Sequence, residues 1–192
     1  MGTYPRLKTE RLILRGFQMS DADRVRTLAG EYEIARMTLN IPHPYNTDMA
    51  KDWIDTHDEE FKSGKGIVFA MVLQETDDLV GAMGLIISER FNRAEIGYWV
   101  GKPYWSNGYA TEAAVELLRY GFMELELNKI HASHMVRNPA SGRVMQKIGM
   151  QPEGLLKQHA LKWDEFLDMA VYGILSETWH RKNKTKDVDP TL

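Results

Sequence analysis

WSNGYATEAA, residues 105 to 114, sets an aromatic and three small or polar residues, Ser106, Asn107 and Gly108, directly in front of Ala110-Thr111-Glu112-Ala113-Ala114, a run that can only be helical. A polar, glycine-containing turn entering a helix leaves the first backbone N–H groups without partners at the positive end of the helix dipole. That is a seat for a phosphate. The same residues also suit a plain helix start, with Ser106 or Asn107 as the N-cap and Gly108 as a turn residue. Ala110, Ala114, Leu117, Leu118 and Gly121 recur at helical spacing, which predicts a helix over 108–122 with one side on a sheet.

Working outward, Ala94 to Val100 reads as a strand ending at Gly101 and Pro103, and Lys129 to Val136 as another. Strand, helix and strand at this length imply a parallel pair joined by a crossover. Asn138-Pro139 then opens a further helix, with Asn138 at N-cap, Pro139 at N1 and Gly149 past the end. Before the centre, Arg11 to Arg15 is a short strand, and Ser20 with Asp23 resembles a cap for a helix to about Ala29. Asn40 to Asn46 is a proline-rich loop, after which Thr47 can cap a second helix carrying Met49, Trp53 and Phe61 roughly on one face. Ile67 to Gln74 and Leu79 to Ile87 form a hairpin about Thr76-Asp77-Asp78, and Gln151 to Leu175 another about Trp163-Asp164. The expected architecture is α/β: a mixed sheet, mostly antiparallel, with one parallel crossover, in a single domain over 1–180. Residues 181–192, basic from Arg181 to Lys186, are expected to be a flexible, solvated tail.

The chain has 192 residues, 43% hydrophobic and 27% charged, an ordinary balance for one globular domain with its own core. A formal charge of −3 argues against general nucleic-acid binding. With no cysteine, disulfides, thiolate metal sites and a cysteine nucleophile are excluded. The first residues lack the apolar stretch of a signal peptide, and no apolar run reaches membrane-spanning length, so a cytoplasmic protein without membrane attachment is expected. Several chemistries fail on motif. Gly108 is followed by Tyr109-Ala110 and not by the Lys-Ser/Thr ending of a P-loop, and Gly64-Lys-Gly66 lacks the third glycine of a dinucleotide-binding fingerprint because position 69 is Phe. His131 and His134 lie three apart on a strand and point to opposite faces, so they cannot chelate one metal. No Gly-x-Ser-x-Gly elbow occurs. No metal is expected.

In order along the chain, LKTERLILRGF, AEIGYWVGKPYWSNGYATEAA, NPASGRVMQKIGM and MAVYGILSETW resemble the GNAT superfamily of N-acetyltransferases, and most closely the branch of the RimJ and RimL ribosomal-protein N-terminal acetyltransferases. The resemblance spans nearly the whole chain. It implies the GNAT fold, with helices on both faces of the sheet and a splayed parallel pair, and acetyl-CoA as co-substrate. The family's Gln/Arg-x-x-Gly-x-Gly/Ala turn, which holds the coenzyme pyrophosphate by backbone N–H groups, maps onto Trp105, Ser106, Asn107, Gly108, Tyr109 and Ala110. Trp105 replaces the family's Gln or Arg, so only the backbone contacts carry over. The pantetheine arm is expected between the strands 94–100 and 129–136, pairing with backbone near Trp99 and Val100, where the N–H of Val100 or Gly101 would polarise the thioester carbonyl. By the same resemblance Asn138 hydrogen-bonds pantetheine and Ser141 sits near the sulfur. Arg143 either pairs a coenzyme phosphate or is a solvated helix residue.

Amide formation from a thioester needs a neutral amine. An α-amine with a pKa of about 8 loses its proton more readily than a lysine near about 10.4, which favours a protein N-terminus as acceptor. Strand alternation puts Glu95 on one face with Gly97 and Trp99, making it the candidate base, directly or through water. Its other reading is an exposed strand glutamate paired with Arg93. Ser141 is the candidate proton donor to the departing thiolate, and direct attack in a ternary complex is the simplest route in a chain without cysteine. Segment 31–61, with Tyr32, Met37, Tyr45 and Trp53, and the hairpin near His159 and Trp163 are expected to flank the amine. Ribosomal protein, peptide, polyamine and amino-bearing antibiotic stay open as acceptors, as does a homodimer. The competing readings are a coenzyme-A-binding sensor without catalysis and a ribosome-associated module using the basic tail.

Overall fold

The computed structural model describes residues 3–184. Its eight strands are β1 (Leu7–Lys8), β2 (Leu12–Arg15), β3 (Gly66–Leu73), β4 (Leu79–Ser88), β5 (Arg93–Val100), β6 (Lys129–Met135), β7 (Gln151–Lys162) and β8 (Glu165–Leu175). They form one sheet in the order β1-β2-β3-β4-β5-β6-β8-β7, antiparallel throughout except for β5 beside β6. Six helices, α1 (Ala22–Ala29), α2 (Tyr32–Met37), α3 (Thr47–Lys62), α4 (Tyr109–Met123), α5 (Pro139–Lys147) and α6 (Ser176–Lys184), cover it.

Strand alternation sorts the core into two layers. Leu12, Leu14, Phe69, Leu85, Ile96 and Ile130 face α4 and α5, which contribute Ala113, Leu117, Leu118 and Met145. On the opposite face Ala70, Ala82 and Trp99 meet Val25 and Leu28 of α1 and Ile54 of α3. Thus β5 is packed on both sides, with Trp99 buried against one set of helices and Ile96 against the other.

Local capping differs from the sequence reading in two places. Asp21, not Ser20 or Asp23, organises the start of α1: its carboxylate accepts from Gln18 N–H at 2.8 Å and pairs with the Arg15 guanidinium at 2.7 and 2.9 Å. Asn46 caps α3 by accepting from Met49 N–H at 2.9 Å, while Thr47 Oγ1 turns to Asp23 at 2.9 Å. At the far end Arg181–Lys184, read from sequence as the beginning of a flexible tail, continue α6, whose Trp179 packs on Phe122 with ring centroids 5.6 Å apart. The helix is held by that contact to the core. The remainder of the expected tail, residues 185–192, lies outside the described residues.

Candidate active site

The turn before α4 has the backbone that its composition demands. Ser106 (φ 65°) and Gly108 (φ 83°) both take the left-handed conformation, and Gly108 is the N-cap residue of α4. At Gly108 the left-handed turn suits a residue without a side chain. Among the described residues no side chain caps the helix, so neither Ser106 nor Asn107 acts as the plain N-cap; Asn107 Nδ2 instead donates to Trp105 O at 3.1 Å. The first backbone bond into α4 is Glu112 N–H to Gly108 O at 3.0 Å, and among the described residues no acceptor meets the N–H groups of Ser106 to Thr111. Six successive backbone donors therefore stand without acceptors at a helix N-terminus. Trp105, whose role the sequence left without a side-chain contact, turns back on the sheet and donates Nε1–H to Val100 O at 2.6 Å.

A cluster that sequence reasoning missed fixes this cradle from below. Glu112, in the first turn of α4, accepts from Thr9 Oγ1 at 2.6 Å, Arg11 N–H at 2.7 Å and Arg11 Nε at 2.8 Å. Burial pushes its carboxyl up, but these hydrogen bonds outweigh it and hold the group below its usual range. The Arg11 guanidinium lies over the Tyr109 ring at 4.8 Å, and its Nη2 comes within 3.6 Å of where a Cβ on Gly108 would stand. A cation is thus anchored at the rim of the six donors. Arg143, on α5, is exposed.

Beside the cradle the parallel pair opens. β5 and β6 pair only at Arg93–Lys129, Ala94–Ile130 and Glu95–His131, and past Glu95 the two strands part. Gly101 N–H bonds Val80 O at 2.8 Å, so in the β4–β5 register Gly101 and Trp99 are the hydrogen-bonded positions and Val100 and Tyr98 are not. This narrows the expectation. Trp99 and Gly101 direct their backbone groups to β4, and Trp99 buries its side chain in the core. The Val100 N–H is left pointing into the opening.

A sequence family model described as an acetyltransferase (GNAT) domain matches residues 11–151, a span that contains the cradle, both parted strands and all of α5. The chain belongs to the GNAT acetyltransferase family. Similar proteins include an uncharacterized N-acetyltransferase, p20, of Bacillus licheniformis, 31% identical over 90% of this chain and 97% of that protein. Another is the uncharacterized N-acetyltransferase YnaD of Bacillus subtilis, 34% identical over 91% and 99%. The [ribosomal protein uS5]-alanine N-acetyltransferase of Escherichia coli is 24% identical over 91% and 92%. Among solved structures, a GNAT-family acetyltransferase from Bacillus anthracis superposes with a TM-score of 0.81 at 29% identity, covering 90% of this chain and 99% of that one.

In this GNAT enzyme α5 brings its N-terminal turn to the opening. Gly142 sits so close to β6 that a Cβ there would meet His134 Nε2 at 2.7 Å, which presses the Ser141 end of α5 against the strand. Asn138 is the N-cap, accepting from Ser141 N–H at 3.3 Å, and its Nδ2 donates to Met37 O at 3.3 Å. Both ends of that side chain are engaged inside the protein, so a bond to pantetheine would share or replace one of them. Ser141 Oγ lies 2.7 Å from the hydroxyl of Tyr98, a residue that sequence reasoning did not single out. Glu95 is half-buried and accepts from Ser133 Oγ of β6 at 2.9 Å; its partner is this serine and not Arg93, which lies over the Phe91 ring. A Cβ on Gly97, two residues along the same face, would meet nothing within 4 Å among the described residues, so the space ahead of Glu95 is open.

The segment expected to flank the amine divides. Trp53 packs with Phe17 and His57 in the lower core, and Tyr45 joins the same cluster. Tyr32 is exposed and stacks on Trp163 at the tip of the β7–β8 hairpin, with centroids 5.5 Å apart and planes 9° from parallel. Buried Lys162 donates to Leu39 O at 3.1 Å and Ile41 O at 2.8 Å, and Arg137 donates to Arg36 O at 2.9 Å. α2 and the loop after it are therefore tied to the hairpin and to the β6–α5 turn, beside Asn138. His159 is exposed on β7, in a stretch where the register with β8 shifts.

Proposed function

We propose that the protein transfers the acetyl group of acetyl-CoA to a primary amine, with a protein N-terminal α-amine as the favoured acceptor. The observation that carries this reading is the run of free N–H groups from Ser106 to Thr111 beside the gap between β5 and β6. The coenzyme pyrophosphate lies on those donors, where aligned amides and the helix dipole act together, and Arg11 adds a cation at the rim. The pantetheine arm runs into the gap, and the Val100 N–H polarises the thioester carbonyl as negative charge develops on its oxygen. Glu95 receives the amine proton, directly or through water, on the face that Gly97 leaves open. As the C–S bond breaks its electron pair stays on sulfur, and the Ser141 hydroxyl donates to that sulfur. Attack is direct, since the chain has no cysteine to carry an acetyl intermediate.

The α-amine is favoured because its lower pKa leaves more of it neutral near pH ~7 than a lysine or an alkyl polyamine. The RimL structure in complex with coenzyme A, described as a ribosomal L7/L12 α-N-protein acetyltransferase, has the same fold at a TM-score of 0.81 and 15% identity. A thiol-release screen with acetyl-CoA tests the reading against peptides with free and blocked N-termini, polyamines and aminoglycosides. Turnover only with free N-termini supports it. Turnover only with polyamine or aminoglycoside moves the acceptor to small molecules, and acetyl-CoA binding without thiol release against any amine makes the protein a sensor.

A further inference from the structure

Tyr98 and Ser141 meet across the opening of the sheet. Tyr98 stands on β5 three residues past the last pair with β6, and Ser141 stands on α5, which follows β6. Their contact thus joins the two parted arms. The phenol oxygen lies 2.7 Å from Ser141 Oγ and 3.1 Å from Ser141 O, and Ser141 N–H is held by the Asn138 side chain at 3.3 Å. Two arrangements of hydrogens fit these distances. In one, Tyr98 donates to the backbone carbonyl and Ser141 donates to Tyr98, which turns the serine hydrogen away from the gap. In the other, Tyr98 donates to Ser141 Oγ over the shorter distance, and the serine hydrogen is released.

We propose that Tyr98 is a positioning residue for the departure of coenzyme A: its hydroxyl donates to Ser141 Oγ and directs the serine's own hydrogen to the leaving sulfur. The inference rests on the reading of Ser141 as donor to that sulfur. Negative charge growing on sulfur selects the second arrangement, because only then can Ser141 donate to it. Burial pushes the Tyr98 phenol up to about 12, against a smaller lowering by Ser141, so it is a weaker acid than the departing thiol, near about 8.5, and keeps its proton throughout. Tyr98 therefore supplies orientation and polarisation, not a proton. The thiolate takes up a proton in balance with the one the amine sheds.

The test is a double-mutant cycle with Tyr98→Phe, Ser141→Ala and the double variant, reading kcat with a saturating amine, acetyl-CoA affinity by calorimetry, and thermal unfolding. Tyr98→Phe removes one oxygen and keeps the ring. The expected result is a kcat about tenfold lower at unchanged acetyl-CoA affinity, with the double variant no slower than Ser141→Ala. Losses that multiply in the double variant, or a parental kcat in Tyr98→Phe beside an impaired Ser141→Ala, overturn the role of Tyr98 while leaving that of Ser141. Full activity in Ser141→Ala overturns the serine reading and this inference with it.

Discussion

Buried His57 couples the stability of the fold to pH. It lies on α3 at 4% exposure between the rings of Phe17 and Trp53, and neither ring nitrogen has a hydrogen-bond partner among the described residues. Burial lowers its pKa from 6.5 to about 4. The folded protein thus keeps this imidazole neutral under conditions in which the unfolded chain protonates it. Well above pH 6.5 neither state binds the proton and the group contributes no pH dependence; as pH falls through 6.5 toward about 4, the unfolded state is progressively favoured. For these two values the linkage relation gives a loss of about 2 kcal/mol on going from about pH 7.5 to about pH 5. Replacing His57 by Phe or Leu removes that term together with the two unsatisfied nitrogens, which adds a pH-independent gain of about 1 kcal/mol or more. Urea unfolding of parent and variant across this range isolates the effect, because every other titrating group is common to both and cancels. The variant's advantage should widen by about 2 kcal/mol toward pH ~5. Parallel stability curves would show that the imidazole is solvated or partnered in solution, and the argument from burial would fail.

Three further perturbations address the site. Gly108→Val places a β-branched residue at φ 83°, with Arg11 as the near neighbour, and should weaken acetyl-CoA binding at least tenfold in calorimetry, about 1.4 kcal/mol; parental affinity in a folded variant would remove the cradle from coenzyme binding. Glu112→Ala leaves the Arg11 amide and guanidinium and the Thr9 hydroxyl without their shared acceptor, and should cost roughly 1–3 kcal/mol in chemical denaturation while loosening the cradle, seen as a raised KM for acetyl-CoA. Glu95→Gln should slow turnover most near neutral pH, with the defect shrinking as rising pH neutralises more amine. A variant with the parental pH–rate profile would take Glu95 out of proton transfer.

Features set by local chemistry were legible in the sequence. Gly108 before an alanine-rich amphipathic run announced the turn and α4, Asn138-Pro139 announced the cap of α5, and the alternation from Ala94 to Val100 put Glu95, Gly97 and Trp99 on one face. What was not legible depends on residues far apart in the chain. Arg11 and Glu112 are separated by 101 positions and Tyr98 and Ser141 by 43, and neither pair leaves a periodic trace. α2 escaped notice because six residues, Tyr32–Met37, are too few to show a helical period, and its place is set by Lys162, Arg137 and the Tyr32–Trp163 stack. The choice between Val100 and Gly101 as carbonyl donor required the β4–β5 register, since one hydrogen bond to Val80 decides which N–H groups face the gap.

The central claim is that acetyl passes from acetyl-CoA to an amine in one step at the gap between β5 and β6. Its most direct measurement is an isotope balance: the purified protein is incubated with acetyl-labelled acetyl-CoA, first alone and then with a peptide bearing a free N-terminus, and label in protein, peptide and free acetate is compared with thiol released. The account predicts no label retained covalently on the protein, and peptide label equal to thiol released once the acceptor is present. Label fixed on the protein before acceptor is added, or thiol released with acetate as its only counterpart, would contradict it.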